Sequence, residues 1–161
     1  MSTIHLHRTT TATPEQYVAG LTDFGPGRSK LFDNSSDAYL KVHRRSGSHA
    51  DVTEGSGGIW ERLHYDWSDP ARVVLTTIDS NVWGGASGHI YTFTRQSDGT
   101  TDIDVVVTRD GKNLTGRLLG FVLGTIGGRV LDKAFENSVR AIEARNSNAG
   151  RPDPGISDLA A

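Results

Sequence analysis

A carboxylate and two histidines are the residues of this sequence whose types could carry proton transfer. Within residues 58–67, strand alternation puts Ile59, Glu61, Leu63, Tyr65 and Trp67 on one face and Trp60, Arg62, His64 and Asp66 on the other. The first set is more apolar and is expected to face inward, carrying Glu61 with it. A carboxylate on an apolar face is either paired or has a raised pKa. Glu61 is therefore the leading candidate for a general acid or base, set against the plainer reading of a partnered or rim-exposed glutamate. His64 and His89 are the other candidates.

Several chemistries are excluded or unsupported. The chain has no cysteine, so disulfides, thiolate metal sites and a cysteine nucleophile are ruled out. Of six histidines, His5 and His7 share a strand face, but no carboxylate or third ligand accompanies them, and no His-Glu-x-x-His pattern occurs. No metal is expected. The glycine clusters Gly55-Ser56-Gly57-Gly58 and Gly84-Gly85-Ala86-Ser87-Gly88 lead into strands rather than helices, so they do not cradle phosphate. No Gly-x-Ser-x-Gly elbow is present. No cofactor is expected.

Charge narrows the partners. Seventeen basic and nineteen acidic residues give a net charge of −2, and apart from Arg44-Arg45 the basic residues are scattered, so no nucleic-acid partner is expected. Residues 1–8 lack the apolar run of a secretory signal. The apolar-rich stretch 118–126 is far shorter than the ~20 residues a bilayer requires. The expectation is a cytoplasmic protein with no stable membrane insertion, monomeric or homodimeric.

The elements that must position these residues can be read in order. Residues 4–9 alternate as a first strand. Thr13-Pro14-Glu15-Gln16 has the composition of a capping box with proline at the first helical position, and Tyr17, Val18, Leu21 and Phe24 recur at helical spacing. Gly25-Pro26-Gly27 ends that helix, and 28–32 is expected to form a second short one. Six strands follow, at 39–44, 49–54, 58–67, 72–80, 85–96 and 101–109, joined by short turns such as Ser46-Gly47 and Asp98-Gly99. Short links between consecutive strands make them antiparallel. Asn113 then caps a long helix running to about Asn146, with Leu131, Phe135, Val139 and Ile142 as its apolar stripe. One domain spans 1–146, and 147–161 is expected to be a disordered tail.

This order, together with the text Thr13-Pro14-Glu15-Gln16-Tyr17-Val18, Gly57-Gly58-Ile59-Trp60-Glu61-Arg62 and Ala141-Ile142-Glu143-Ala144-Arg145, resembles the START-like (SRPBCC, or polyketide cyclase/dehydrase-like) superfamily. The resemblance implies an α+β helix-grip fold: a seven-stranded curved antiparallel sheet wrapped around a long C-terminal helix, with two short helices after the first strand. It further implies a cavity for a small hydrophobic ligand such as a lipid, isoprenoid or polyketide. A binding protein is expected in preference to an enzyme, with an aromatase/cyclase-like activity using Glu61, His64 or His89 as the alternative. A third reading, an interaction role in which the cavity is incidental, predicts an extensive exposed apolar patch.

The ligand-lining residues expected from these considerations are Leu63, Tyr65, Trp83, Tyr91, Phe93, Gly120, Phe121 and Gly124. Trp83, beside Gly84-Gly85, is placed in a loop as a lid. Gly116, Gly120, Gly124 and Gly128 recur every fourth residue of the last helix, each costing about 1 kcal/mol relative to alanine. Ligand space, close approach of the sheet and a subunit contact compete as compensating reasons. If Asp98-Gly99 centres a two-residue turn, Tyr91 and Phe93 share an inward face with Asp104 and Val106, and Arg109 points out. A one-residue slip would reverse that assignment.

Overall fold

The computed structural model describes residues 1–150. Strand β1 (Ser2–Thr10) is followed by helix α1 (Pro14–Leu21) and a single 3-10 turn (Arg28–Lys30). The meander β2 (Lys41–Arg45), β3 (His49–Ser56), β4 (Ile59–Asp69), β5 (Arg72–Ser80), β6 (Gly88–Arg95) and β7 (Thr101–Arg109) then leads into the C-terminal helix. All seven strands form one antiparallel sheet in the order β1-β7-β6-β5-β4-β3-β2. The expected α+β architecture is therefore present. The second short helix is reduced to one 3-10 turn.

Local chemistry sets the boundaries. The Thr13 hydroxyl accepts from the Gln16 backbone N–H while the Gln16 side chain accepts from the Thr13 N–H, completing the capping box. Asn113 Oδ1 accepts from the Gly116 N–H at 2.8 Å and starts the last helix. That helix runs as α2 (Leu114–Val122), a π turn (Leu123–Gly127) and α3 (Gly128–Ala149), ending past the expected Asn146. The Thr125 hydroxyl donates to the carbonyls of Phe121 and Val122, satisfying acceptors in the widened turn. The rest of the expected tail, 151–161, lies outside the described residues.

Phe135, Val139 and Ile142 of α3 pack against Leu6, Tyr17, Leu21, Ile103 and Val105 to form the core. Gly20 lets α1 approach α3 closely, since a Cβ there would lie 3.0 Å from Ile142. The same core continues across β3, β4 and β5 through Val52, Leu63, Tyr65 and Leu75. Toward the end where β4 and β7 meet the loop around Trp83, packing gives way to open space.

Candidate functional site

A cavity of about 230 Å³ lies between the concave face of the sheet and the C-terminal helix. Its apolar wall includes Leu21, Phe32, Leu63, Leu75, Leu123 and Leu131, and its aromatic wall Tyr65, Trp83 and Tyr91. Alternation along β4 explains the floor: Glu61, Leu63 and Tyr65 are all buried on the inner face.

Two ion pairs stand on this floor. Glu61 Oε1 accepts from Arg109 Nη1 at 2.6 Å and from the Thr77 hydroxyl, and both charged side chains are 11% exposed. On the neighbouring strand, Glu54 pairs with Arg28, and the Tyr65 hydroxyl donates to its other oxygen. Arg28 is held further by the carbonyls of Leu21 and Asp23 and lies over the rings of Phe24 and Phe32. Nearly all its donors are used, so it braces the 3-10 turn against the sheet.

Arg109 is the hub of the other pair. Its second terminal nitrogen lies 2.8 Å from His89 Nε2, and its guanidinium sits 5.2 Å from the Trp83 ring centroid. A guanidinium only donates, so His89 Nε2 is the acceptor and the ring proton sits on Nδ1. Burial, reinforced by the Arg109 charge, holds His89 well below the ordinary histidine range. Burial also pushes the Tyr91 hydroxyl up to about 12. Both residues keep part of their surface open to the cavity. Among the described residues, neither His89 Nδ1 nor the Tyr91 hydroxyl has a protein partner. At neutral pH the polar wall therefore offers an N–H and an O–H to whatever enters.

The structure brings Glu61, Leu63, Tyr65, Trp83, His89 and Tyr91 to this cavity. Other expectations need correction. Arg109 points inward, because β6 and β7 pair Tyr91 with Val105 and Phe93 with Ile103, one residue away from the expected register. Phe93 is 5% exposed but serves the core, its ring centroid 5.6 Å from that of Tyr17. Trp83 is a buried wall bridged to Gly111, not an exposed lid. His64 lies on the convex side, as strand alternation placed it, bonded to Asp51 at 2.7 Å, so it is no acid or base of this cavity. Phe121 points to solvent at 69% exposure.

Gly120 and Gly124 do not line this cavity. A Cβ on Gly124 would lie 3.3 Å from Ser2 Oγ, and the Ser2 hydroxyl donates to the Gly120 carbonyl at 2.7 Å. Gly116 packs so tightly that a Cβ would sit 2.1 Å from the Val82 carbonyl oxygen. The glycines bring the helix close to β1 and to the Trp83 loop, while Leu123 and Leu131 form the helical wall of the cavity. Arg109, Leu123 and Leu131 were missed from the sequence as site residues. For Arg109 the signal was present, since it continues the alternating inward set Ile103, Val105 and Val107.

No protein-family model matches the sequence, and no curated protein matches it. Solved structures do. A START superfamily protein from Mycobacterium smegmatis aligns with a TM-score of 0.66 at 10% identity, over 92% of this chain and 99% of that one. The Zhui aromatase/cyclase from Streptomyces sp. R1128 aligns with a TM-score of 0.68 at 12% identity, over 96% and 98%. The chain has the START-like helix-grip fold. A protein from Thermus thermophilus shares it at a TM-score of 0.68 and 15% identity, over 92% and 99%. In this chain the START-like fold carries a Glu61–Arg109–His89 chain of contacts across its concave face.

Proposed function

We propose that this protein binds a small, largely apolar molecule that carries one hydrogen-bond-accepting end. The observation behind this reading is the cavity's lining: leucines and aromatic rings surround it, the Arg28–Glu54 pair has nearly all its donors used, and His89 and Tyr91, beside Arg109, present donors without protein partners among the described residues. Apolar lining supplies the affinity, and a few placed polar groups fix orientation. A carbonyl or phenolic oxygen would take the two donors left without protein partners, His89 Nδ1–H and Tyr91 O–H.

A second reading, acid–base catalysis of the aromatase/cyclase kind, is favoured by the neutral His89 beside a protonated Tyr91. The likeness to the Zhui aromatase/cyclase adds to it. It ranks second because the only basic lone pair of His89 is already engaged by Arg109, and Glu61 is ion-paired. Proton abstraction would first require Arg109 to move.

Native mass spectrometry of the purified protein, followed by organic extraction, tests the first reading. A retained small hydrophobic mass is expected in the wild type and its loss in Leu123→Trp, which fills the cavity from the helix side. Ligand-free wild type that also takes up no added apolar ketone or phenol would overturn it. Turnover of a poly-β-carbonyl thioester, abolished in His89→Phe, would put the second reading first.

A further inference from the structure

The C-terminal helix carries a second apolar face, on the side away from the cavity. Leu114 is 83% exposed, Leu118 63%, Phe121 69%, Ile126 67% and Val130 65%. These positions follow helical spacing and leave five large side chains in water along one stripe. The flanking charges have one sign. From Gly111 to Leu131 the chain carries Lys112, Arg117 and Arg129 and no carboxylate. Lys112 pairs with Asp79, whereas Arg117 and Arg129 have no salt-bridge partner among the described residues. The bordering acids are turned elsewhere: Asp132 pairs with Arg8, and the Asp110 carboxylate packs against Gly85.

We propose that this face docks the protein on an anionic membrane surface, with α2 lying in the plane of the interface. Apolar side chains on one face and arginines beside them match acyl chains below and lipid phosphates above. A second copy of the chain fits less well, because a self-complementary contact along the stripe would set arginines against arginines with no carboxylate between them. By length and composition the helix Leu114–Ala149 could also cross a bilayer. Its inner face, however, is fastened to the domain by the Gly116–Val82 contact and the Ser2–Gly120 hydrogen bond. Docking is therefore interfacial rather than spanning. It does not depend on whether the cavity holds a ligand.

Cosedimentation of the full chain with vesicles tests this. The wild type is expected to pellet with phosphatidylcholine–phosphatidylglycerol vesicles, to bind phosphatidylcholine alone much less, and to weaken as salt is raised. Phe121→Ser with Ile126→Ser should lower binding by roughly a hundredfold, each large apolar side chain left in water costing about a factor of ten. Arg117→Gln with Arg129→Gln should remove the preference for anionic lipid. All four positions are exposed, and circular dichroism checks that the variants fold. Failure to bind either vesicle, or binding unchanged by the serine pair, would overturn the proposal. So would a stable dimer that the serine pair dissociates, which would assign the face to a second copy.

Discussion

Arg109, the last residue of β7, reaches across two intervening strands to bond Glu61 on β4 at 2.6 Å. Only a strongly curved sheet lets residues on first and fourth neighbouring strands meet side chain to side chain. The pair thus ties the two flanks of the concave face together beside the cavity.

Removing one partner should be much worse than removing both. Arg109→Met leaves Glu61 buried without its counter-ion and is expected to cost about 3 kcal/mol in urea unfolding. The double variant with Glu61→Gln should recover most of that. A double-mutant cycle showing additive losses would contradict the coupling.

The helix glycines should divide by what their missing Cβ would meet. Gly116→Ala drives a methyl onto the Val82 carbonyl and is expected to destabilise by about 2 kcal/mol. Gly128 has open space around its Cβ position, so Gly128→Ala should stabilise by up to about 1 kcal/mol through helix propensity. Thermal midpoints of the two variants, moving in opposite directions, are the check.

Tyr17 is completely buried, yet its hydroxyl has no hydrogen-bond partner among the described residues. Tyr17→Phe removes an unsatisfied polar atom while keeping the ring contacts with Tyr91 and Phe93. It should be neutral or stabilising, by about 1 kcal/mol at most. A clear loss of stability would mean that the hydroxyl is satisfied in solution, for instance by water.

His89 gives the protein a stability component that depends on pH. Burial and Arg109 lower its folded-state pKa well below the unfolded value of about 6.5. Between those two values the unfolded chain binds the extra proton, so stability rises with pH and falls as the medium is acidified below about 6.5. The limiting slope is about 1.4 kcal/mol per pH unit. His89→Gln should flatten this window, leaving the loss at lower pH from carboxylates such as Asp51 and Asp66, whose folded pKa values are depressed.

The fold was legible because its signals are local: the Thr13–Gln16 capping box, the turns between strands and the Phe135–Val139–Ile142 stripe each act within a few residues. The inner face of β4, Glu61 included, followed from alternation alone. The site was only partly legible because a single loop residue governs it. Ser97, Asp98 and Gly99 form a three-residue connection, with Gln96 and Thr100 bonded across its base and Gly99 at φ 88°. Reading a two-residue turn there shifts β7 by one position, which sends Arg109 to the wrong side and hides the hub of the polar wall. The glycine stripe misled for another reason. Four small residues look the same in sequence whether they leave room for a ligand or for a neighbouring backbone.

The π turn at Leu123–Gly127 governs how this helix tolerates changes in length. A π turn holds one surplus residue in place, so the segments on either side keep the angular phase they would have without it. Deleting the exposed Thr125 should convert the turn to ordinary α-helix and leave both Gly116 and Phe135 facing the domain. Deleting one residue within α3 has no such slack to draw on. Between Phe135 and Ile142 it would swing everything before the deletion by about 100° relative to the rest of the stripe, separating the helix's grip on β1 from its grip on the core. The helix therefore has one position where its length can change without altering its reading frame against the sheet.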